Sequence, residues 1–148
     1  LLGMVGGQAV DLISEGNAAL NGHRAQVLDY IHRHKTGALI QASLDAGAVL
    51  AGATAAQRKA LARYGEQIGL AFQIADDVLD IVGDKQLLGK RGSDKENQKL
   101  TFPSVYGLED SRRRAQNAVT EAKRALRPFG KKAVILSALA DYMIERDR

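Results

Sequence analysis

The sequence predicts an all-α protein, on the basis of three observations. Apolar residues recur at helical spacing through most of the 148 residues, whereas the alternation of apolar and polar residues typical of strands is almost absent. Helix start and stop signals separate these stretches, among them a capping sequence at Thr54–Gln57 and prolines at positions 103 and 128. A content of 45% hydrophobic and 26% charged residues is that of a globular chain that can bury a core.

The first third of the chain is predicted to form three helices. The glycine-rich segment 1–15 forms the first, and its small residues favour close approach of a neighbouring helix. A linker with turn-forming residues follows at 16–22. A short helix is expected from about 24 to 34 and should end at Lys35-Thr36-Gly37, because glycine suits the position just after a helix. The third helix is expected from about 38 to 51.

The longest helix is predicted from about 54 to 83. Thr54 and Gln57 have the spacing of a capping box at its start, and Gly83-Asp84 should end it. A polar, basic loop follows at 84–101, and Pro103 suits the first turn of a short helix. Two amphipathic helices complete the chain, at about 109–127 and 131–146.

The segment 72–80, Phe-Gln-Ile-Ala-Asp-Asp-Val-Leu-Asp, carries the most informative chemistry. On a helix, residues at i, i+3, i+4 and i+7 share a face, so one stripe holds Gln73, Asp76, Asp77 and Asp80. Like charges at this spacing weaken a helix, and three of them call for a counterion. Mg2+ fits, since it binds one or two carboxylates together with substrate phosphates. The alternative interpretation is a solvated acidic helix face.

Two other segments could serve the same cation and an anionic ligand. Gln8 and Asp11 are i,i+3 neighbours on the first helix, so Asp11 could add a carboxylate, although helix packing alone would also explain the segment. The sequence His32-Arg-His-Lys-Thr-Gly37 places basic side chains at a predicted helix end, where they complement the helix dipole. The functional alternative is that Lys35 and the Thr36 hydroxyl bind a phosphate.

The polar loop is basic and lies just beyond the acidic helix. Its four basic residues between positions 88 and 103 are Lys90, Arg91, Lys95 and Lys99. The loop lacks the G-x-x-x-x-G-K-[ST] spacing and no strand precedes it, so it is not a nucleotide P-loop. It could fold over a diphosphate and exclude water, or it could be an ordinary solvated loop.

Composition excludes several classes of function. The chain has no cysteine, which excludes disulfides and thiolate metal sites and is compatible with a cytoplasmic protein. No apolar run approaches the roughly 20 residues that span a bilayer, so we expect no membrane partner. The net charge of +4 comes from dispersed basic residues, with 5% aromatics and no nucleic-acid-binding motif. Carboxylates, lysines and apolar helices together favour a ligand with a charged head and an apolar tail, an isoprenoid diphosphate.

The motifs and their order resemble the trans-isoprenyl diphosphate synthase family, and look closest to the C-terminal half of bacterial farnesyl diphosphate synthases. The resemblance runs the whole length of the chain. It rests on Gly7-Gln8-x-x-Asp11, His32-Arg-His-Lys-Thr-Gly-Ala-Leu-Ile40, Phe72-Gln-x-x-Asp-Asp-x-x-Asp80, Gly89-Lys90-x-Gly-x-Asp94 and Lys99-x-Thr-x-Pro103.

The resemblance implies a helical bundle around a central cavity, in which Mg2+ ions hold an allylic diphosphate. It implies that Asp76 is a direct metal ligand, that Asp77 and Asp80 complete the same motif, and that Asp11 and Asp94 are additional ligands. It implies that the diphosphate is bound by Lys35, Lys90 and Lys99. The resemblance also implies that an allylic carbocation forms when the diphosphate leaves, and that Lys35, Thr36 and Gln73 have catalytic roles near it.

The resemblance also sets out what the 148 residues lack. The family's first aspartate-rich motif and its isopentenyl diphosphate pocket belong to an N-terminal half that has no counterpart in this chain. We therefore expect 1–148 to be the C-terminal half of a synthase domain, inactive by itself, from an enzyme that is a homodimer at full length. The expected reaction condenses isopentenyl diphosphate with an allylic diphosphate. Two alternatives stay open: a non-catalytic partner that tunes a full synthase, and, less in keeping with Lys35 and the basic loop, a class I terpene cyclase.

Overall fold

The computed structural model describes residues 3–17, 22–87 and 100–145, and helices make up nearly all of these ranges. No strand occurs in them, which confirms the predicted all-α class. The α-helices are α1 (Met4–Ser14), α2 (Arg24–His32), α3 (Ala38–Leu50), α4 (Ala55–Leu87), α5 (Phe102–Tyr106), α6 (Leu108–Ala125) and α7 (Val134–Glu145).

The segment between α2 and α3 is a π-helical turn, Arg33–Gly37, and the chain stays helical through it. The prediction that a helix ends at Lys35-Thr36-Gly37 was therefore wrong. Gly37 has helical torsion angles, φ −57° and ψ −41°, and does not terminate a helix. Helix α4 passes close to this turn at Gly69, where a Cβ would lie only 3.0 Å from the Cα of Gly37. Single π-helical turns of this kind are often found at functional sites.

Helix α4 starts as predicted. The Gln57 amide donates to Thr54 Oγ1 at 3.3 Å, and the Thr54 amide donates to Gln57 Oε1 at 2.8 Å, so the capping box is formed. The predicted end at Gly83-Asp84 was wrong, because the helix continues to Leu87. A single glycine costs a helix only about 1 kcal/mol, and Lys85-Gln-Leu87 are good helix formers.

The C-terminal helices lie close to their predicted positions. The short helix α5 has Pro103 in its first turn, and Thr101 caps it by accepting from the Ser104 amide. Helix α6 ends at Ala125 and is followed by a 3-10 turn, Arg127–Ala133. Gly130 in this turn has φ +54°, a left-handed conformation that glycine adopts readily, so α7 begins a few residues later than the predicted position 131.

The core is built around α4. Its first half contributes Tyr64, Ile68 and Ala71 to a cluster of buried side chains shared with α6 and α7. Its second half contributes Ile74 and Val78 to a second cluster shared with α2, α5 and α6. The middle of α4, from Tyr64 to Val78, is thus the buried part of the helix, and Gln73 and Asp77 lie inside the molecule.

Three helices keep large apolar side chains at the surface. On α1 these are Met4, Val5, Leu12 and Ile13, on α3 they are Leu39, Val49 and Leu50, and on α7 they are Val134, Ile135, Leu139 and Tyr142. Val5 and Ile135 are 74% and 77% exposed, so these faces differ from the ordinary scatter of single apolar residues on a protein surface. Within the described ranges, no helix combines the length and apolar character that crossing a membrane requires.

Candidate functional site

The π-helical turn lies against α1 at a glycine. A Cβ on Gly7 would come within 2.2 Å of the Lys35 amide nitrogen and 2.7 Å of its Cα, so only glycine fits there. Gly7, Asp11 and Ser14 are the buried residues of α1 and share one face. This close approach brings the Asp11 side chain to the π-helical turn.

Lys35 and Asp11 form an ion pair at this contact. Lys35 Nζ donates to Asp11 Oδ2 at 2.7 Å, and the lysine side chain keeps 32% of its surface exposed while that of the aspartate keeps 8%. An ammonium group has three donors, and this bond uses one of them. The site therefore holds a fixed, partly exposed cation that can also donate to an anionic ligand.

Thr36 connects the turn to α4. Its hydroxyl donates to the Gln73 side-chain oxygen in a short hydrogen bond, and Gln73 is buried. Gln73 lies one helical turn before Asp76 on α4. The cationic turn and the acidic stripe of α4 are therefore joined by a direct contact between side chains.

The four polar residues of the stripe lie at different depths. Gln73 and Asp77 are buried, Asp76 is half-buried and Asp80 is exposed. The stripe thus runs from the interior to the surface along α4, and Asp76 and Asp80 form its accessible part.

Asp77 lies on the side of the stripe that contacts α2 and α5. Its Oδ2 atom accepts from the Phe102 backbone amide at 2.8 Å and lies 3.3 Å from His32 Nε2. The other ring nitrogen of His32, Nδ1, donates to the Leu28 carbonyl at 2.8 Å. His32 and the Phe102 amide were not among the functional candidates from sequence, since nothing in their local pattern indicates a contact with residue 77.

Arg33 fixes the outer side of the turn. Its guanidinium donates to Asp29 at 2.8 Å and also contacts Glu66 of α4. The hydrogen bond to Asp29, together with the charge of Glu66, raises the pKa of Arg33 above its usual value. This side of the turn carries paired charges on the surface, so Lys35 and Thr36 are the residues of the turn that point toward α1 and the acidic stripe.

The residues present fit a hard divalent cation only in part. Asp76 and Asp80 are i,i+4 on α4 and offer the oxygen ligands that Mg2+ prefers. Across 3–17, 22–87 and 100–145, however, no group of three or more ligating side chains is close enough to hold an ion. The fit is to a cation held by one or two carboxylates, with its other ligands from water and phosphate. Three of the predicted site residues, Lys90, Asp94 and Lys99, lie outside the described residues.

Comparison with known proteins bears on this site. The polyprenyl synthetase family matches residues 1–140. The chain is 48% identical, over 97% of its length, to a dimethylallyltranstransferase of Fischerella ambigua, of which it covers 41%. It is 44% identical to the farnesyl diphosphate synthase of Escherichia coli, over its whole length and 50% of that protein. The chain thus spans about half the length of the curated relatives it matches.

Solved structures agree with the sequence comparison. The chain superposes on an FPP/GFPP synthase of Zymomonas mobilis with a TM-score of 0.80 and 38% identity, over 95% of this chain and 45% of the other. It also superposes on a geranyltransferase of Helicobacter pylori, complexed with magnesium and isoprenyl diphosphate, with a TM-score of 0.73 and 32% identity, over 99% and 47%. The resemblance stated from the motifs is confirmed, as is the isoprenoid synthase type of all-α fold. The chain belongs to the polyprenyl synthetase family.

Proposed function

We propose that this chain provides the allylic-diphosphate-binding part of a trans-prenyl diphosphate synthase. The reaction joins isopentenyl diphosphate to an allylic diphosphate and gives farnesyl or another short-chain diphosphate. The observation that carries the proposal is the contact between Thr36 and Gln73, because it joins the cationic turn to the helix of Asp76 and Asp80. Family membership and the relatives' names support the class of reaction; the product length is part of the proposal.

The diphosphate is bound by cationic side chains of this chain. The Lys35 ammonium group has three N–H donors, and the two that do not bond to Asp11 can bind the diphosphate. Asp11 fixes the direction of the ammonium group. Lys90 and Lys99, which lie outside the described residues, are proposed as further donors to the same diphosphate. Positive groups held in place before the reaction stabilise the negative charge that grows on a leaving diphosphate.

Mg2+ is proposed as the cofactor, held through Asp76 and Asp80. Asp94 is a further candidate, and Asp11, which is paired with Lys35, would act through a bridging water. When bound, it would neutralise the diphosphate and so favour its departure. We do not give Asp77 the role of a ligand, because its side chain is nearly inaccessible and its Oδ2 is engaged by Phe102 and His32. The Helicobacter relative, solved with magnesium and isoprenyl diphosphate, supports this choice of metal.

Thr36 and Gln73 have a different role, because they are uncharged dipoles. Once the carbon–oxygen bond breaks, the allylic fragment is a cation, and oxygen dipoles beside it lower its free energy. The Thr36 hydroxyl and the Gln73 side-chain oxygen are fixed by their mutual hydrogen bond, so they need little reorganisation. The double bond of isopentenyl diphosphate then attacks the cation, and a proton passes to the departed diphosphate.

The test is turnover by the protein expressed from its complete coding sequence, with labelled isopentenyl diphosphate and an allylic diphosphate. Asp76→Asn should lower kcat at least about 100-fold, as loss of a charge-stabilising group does. Asp45→Asn is the matched control, since Asp45 is an exposed aspartate of α3 paired with Arg58. Equal rates for both variants would refute the proposal.

The exposed apolar faces of α1 and α7 favour association of this chain with another polypeptide. Val5 and Ile13 of α1, and Ile135 and Tyr142 of α7, would be covered if another polypeptide packed on these helices. A homodimer of the full-length enzyme is one such arrangement. A non-catalytic partner of a complete synthase is the competing function, and it predicts altered product length in a mixture without any requirement for Asp76.

A further inference from the structure

The carboxylate of Asp77 connects three segments that are far apart in sequence. Its Oδ2 accepts the Phe102 amide at 2.8 Å from the start of α5 and faces His32 Nε2 at 3.3 Å from the end of α2. Both side chains are nearly inaccessible, with 4% of His32 and 8% of Asp77 exposed. The ring of Phe102 also lies against that of His32, with 5.0 Å between centroids.

Hydrogen bonding determines which ring nitrogen of His32 faces Asp77. Its Nδ1 lies 2.8 Å from the Leu28 carbonyl, an acceptor only, so Nδ1 must carry a hydrogen. Nε2 is then the atom directed at Asp77, 3.3 Å from its Oδ2. A buried carboxylate is stable only when donors surround it, and here both the backbone amide and the imidazole are directed at a single oxygen.

The rotation of α4 follows from this contact. Consecutive residues of a helix differ by about 100° in direction, so Asp76 and Asp77 face different neighbours. Because Asp77 is held toward α2 and α5, it opposes rotation of α4 about its axis, and Asp76 lies about 100° around the helix from it. The end of α2, where His32 lies, is also the start of the turn with Lys35 and Thr36.

We propose that Asp77 is a positioning residue, not a metal ligand, and that with His32 it sets the rotation of α4 and hence the direction of Asp76. It acts through the Phe102 amide and the imidazole and does not touch the diphosphate. The effect on catalysis rests on the proposed function, but the contact of Asp77 with Phe102 and His32, called the connection below, can be measured separately.

The first measurement is hydrogen exchange at the Phe102 amide in the protein expressed from its complete coding sequence. Asp77→Ala should speed exchange at least about tenfold, since the amide loses its acceptor, whereas Asp77→Asn keeps an oxygen acceptor and should stay within about threefold of wild type. Asp80→Asn, an exposed neighbour on α4, is the control and should leave this amide unchanged. Unchanged exchange in Asp77→Ala would overturn the connection. If that variant does not fold, Asp77→Leu, which fills the space but has no acceptor, takes its place, and unchanged exchange in it would overturn the connection.

The second measurement is the Mg2+ concentration for half-maximal turnover. For a carboxylate that binds Mg2+ directly, as expected for Asp76, both the Asn and the Ala variant should need much more Mg2+. A positioning residue is rescued by the conservative change, so Asp77→Asn should stay within about fivefold of wild type, while Asp77→Ala rises about 10- to 100-fold. If Asp77→Asn rises as far as Asp76→Asn, Asp77 is a ligand and the inference is wrong. A wild-type protein without turnover would refute the proposed function, and the exchange measurement would still decide the connection.

Discussion

Lys35 Nζ donates to Asp11 Oδ2 at 2.7 Å, and this contact joins α1 to the π-helical turn. The two residues are 24 positions apart, and Gly7 permits their approach because no side chain lies between α1 and the backbone of Lys35. The same turn reaches α4 through Thr36 and Gln73. Lys35, Asp11, Thr36 and Gln73 are therefore held in one continuous arrangement, and Asp76 lies one helical turn beyond Gln73 on α4.

Replacing Lys35 should damage binding and turnover together. Lys35→Gln removes a charge that would stabilise the leaving diphosphate, so we expect kcat/KM for the allylic substrate to fall about 100- to 1000-fold. Steady-state kinetics with the protein from its complete coding sequence measures this. Lys59→Gln, an exposed lysine of α4, is the control and should change little. A Lys35→Gln variant as active as this control would contradict the assignment.

Gly7 should not tolerate a side chain. The added methyl of Gly7→Ala would meet the Lys35 backbone at 2.2 Å, so the helices must separate, at a cost of about 1–3 kcal/mol in the free energy of unfolding. Denaturant unfolding measures this. Gly47→Ala is the control, since a Cβ there meets no atom within 4 Å, and it should stabilise α3 by about 0.5–1 kcal/mol. Equal effects from both changes would show that the close contact is absent.

The Thr36 hydroxyl should matter more than the bulk of its side chain. Thr36→Val keeps the shape but leaves Gln73 without its donor, so we expect kcat to fall about 10- to 100-fold, with a smaller change in KM. Thr36→Ser keeps the hydroxyl and should retain most of the activity. Steady-state kinetics of both variants makes the comparison. A serine variant as impaired as the valine variant would assign the loss to packing.

Tyr64 should make stability sensitive to alkaline pH. Burial raises the pKa of its phenol from 10.0 to about 12, and the hydroxyl donates to the Leu136 carbonyl. Because the folded-state pKa is raised, the stabilisation is complete below pH 10 and is lost as pH rises from about 10 to about 12, by up to about 3 kcal/mol.

Unfolding free energies measured across this pH range test that expectation. Tyr64→Phe should flatten the fall in stability above pH 10, whereas Tyr142→Phe, at an exposed position of α7, should leave it unchanged. A curve for Tyr64→Phe that matches wild type would show that ionisation of this phenol does not govern the alkaline loss.

The fold class could be predicted from sequence because helical periodicity and caps are local signals. Thr54 and Gln57 marked the start of α4, and Pro103 marked α5, at the positions where the structure has them. The ends of helices were harder. Gly37 looks like a terminating residue, but the chain stays helical through it, and α4 packs against this turn at Gly69, a contact that depends on tertiary packing.

The sequence predicted which residue types form the polar stripe of α4, but not which of them are buried. The spacing of 73, 76, 77 and 80 placed four polar residues on one stripe, and all four do lie along α4. The stripe spans enough of the helix circumference for its edge to contact another element, so Asp77 faces His32 and Phe102 while Asp80 is exposed. Which edge is buried depends on how α2 and α5 pack, and the local pattern contains no information about that.

We propose that the turn with Lys35 and the helix with Asp76 act together on an allylic diphosphate. The most direct measurement is Mg2+-dependent condensation of labelled isopentenyl diphosphate with an allylic diphosphate by the protein from its complete coding sequence, with wild type, Lys35→Gln and Asp76→Asn assayed together. We expect wild type to form a prenyl diphosphate product, chelation of Mg2+ to abolish it, and each variant to lose at least about 100-fold in rate. Product formation that is indifferent to Mg2+ and to both substitutions would contradict it.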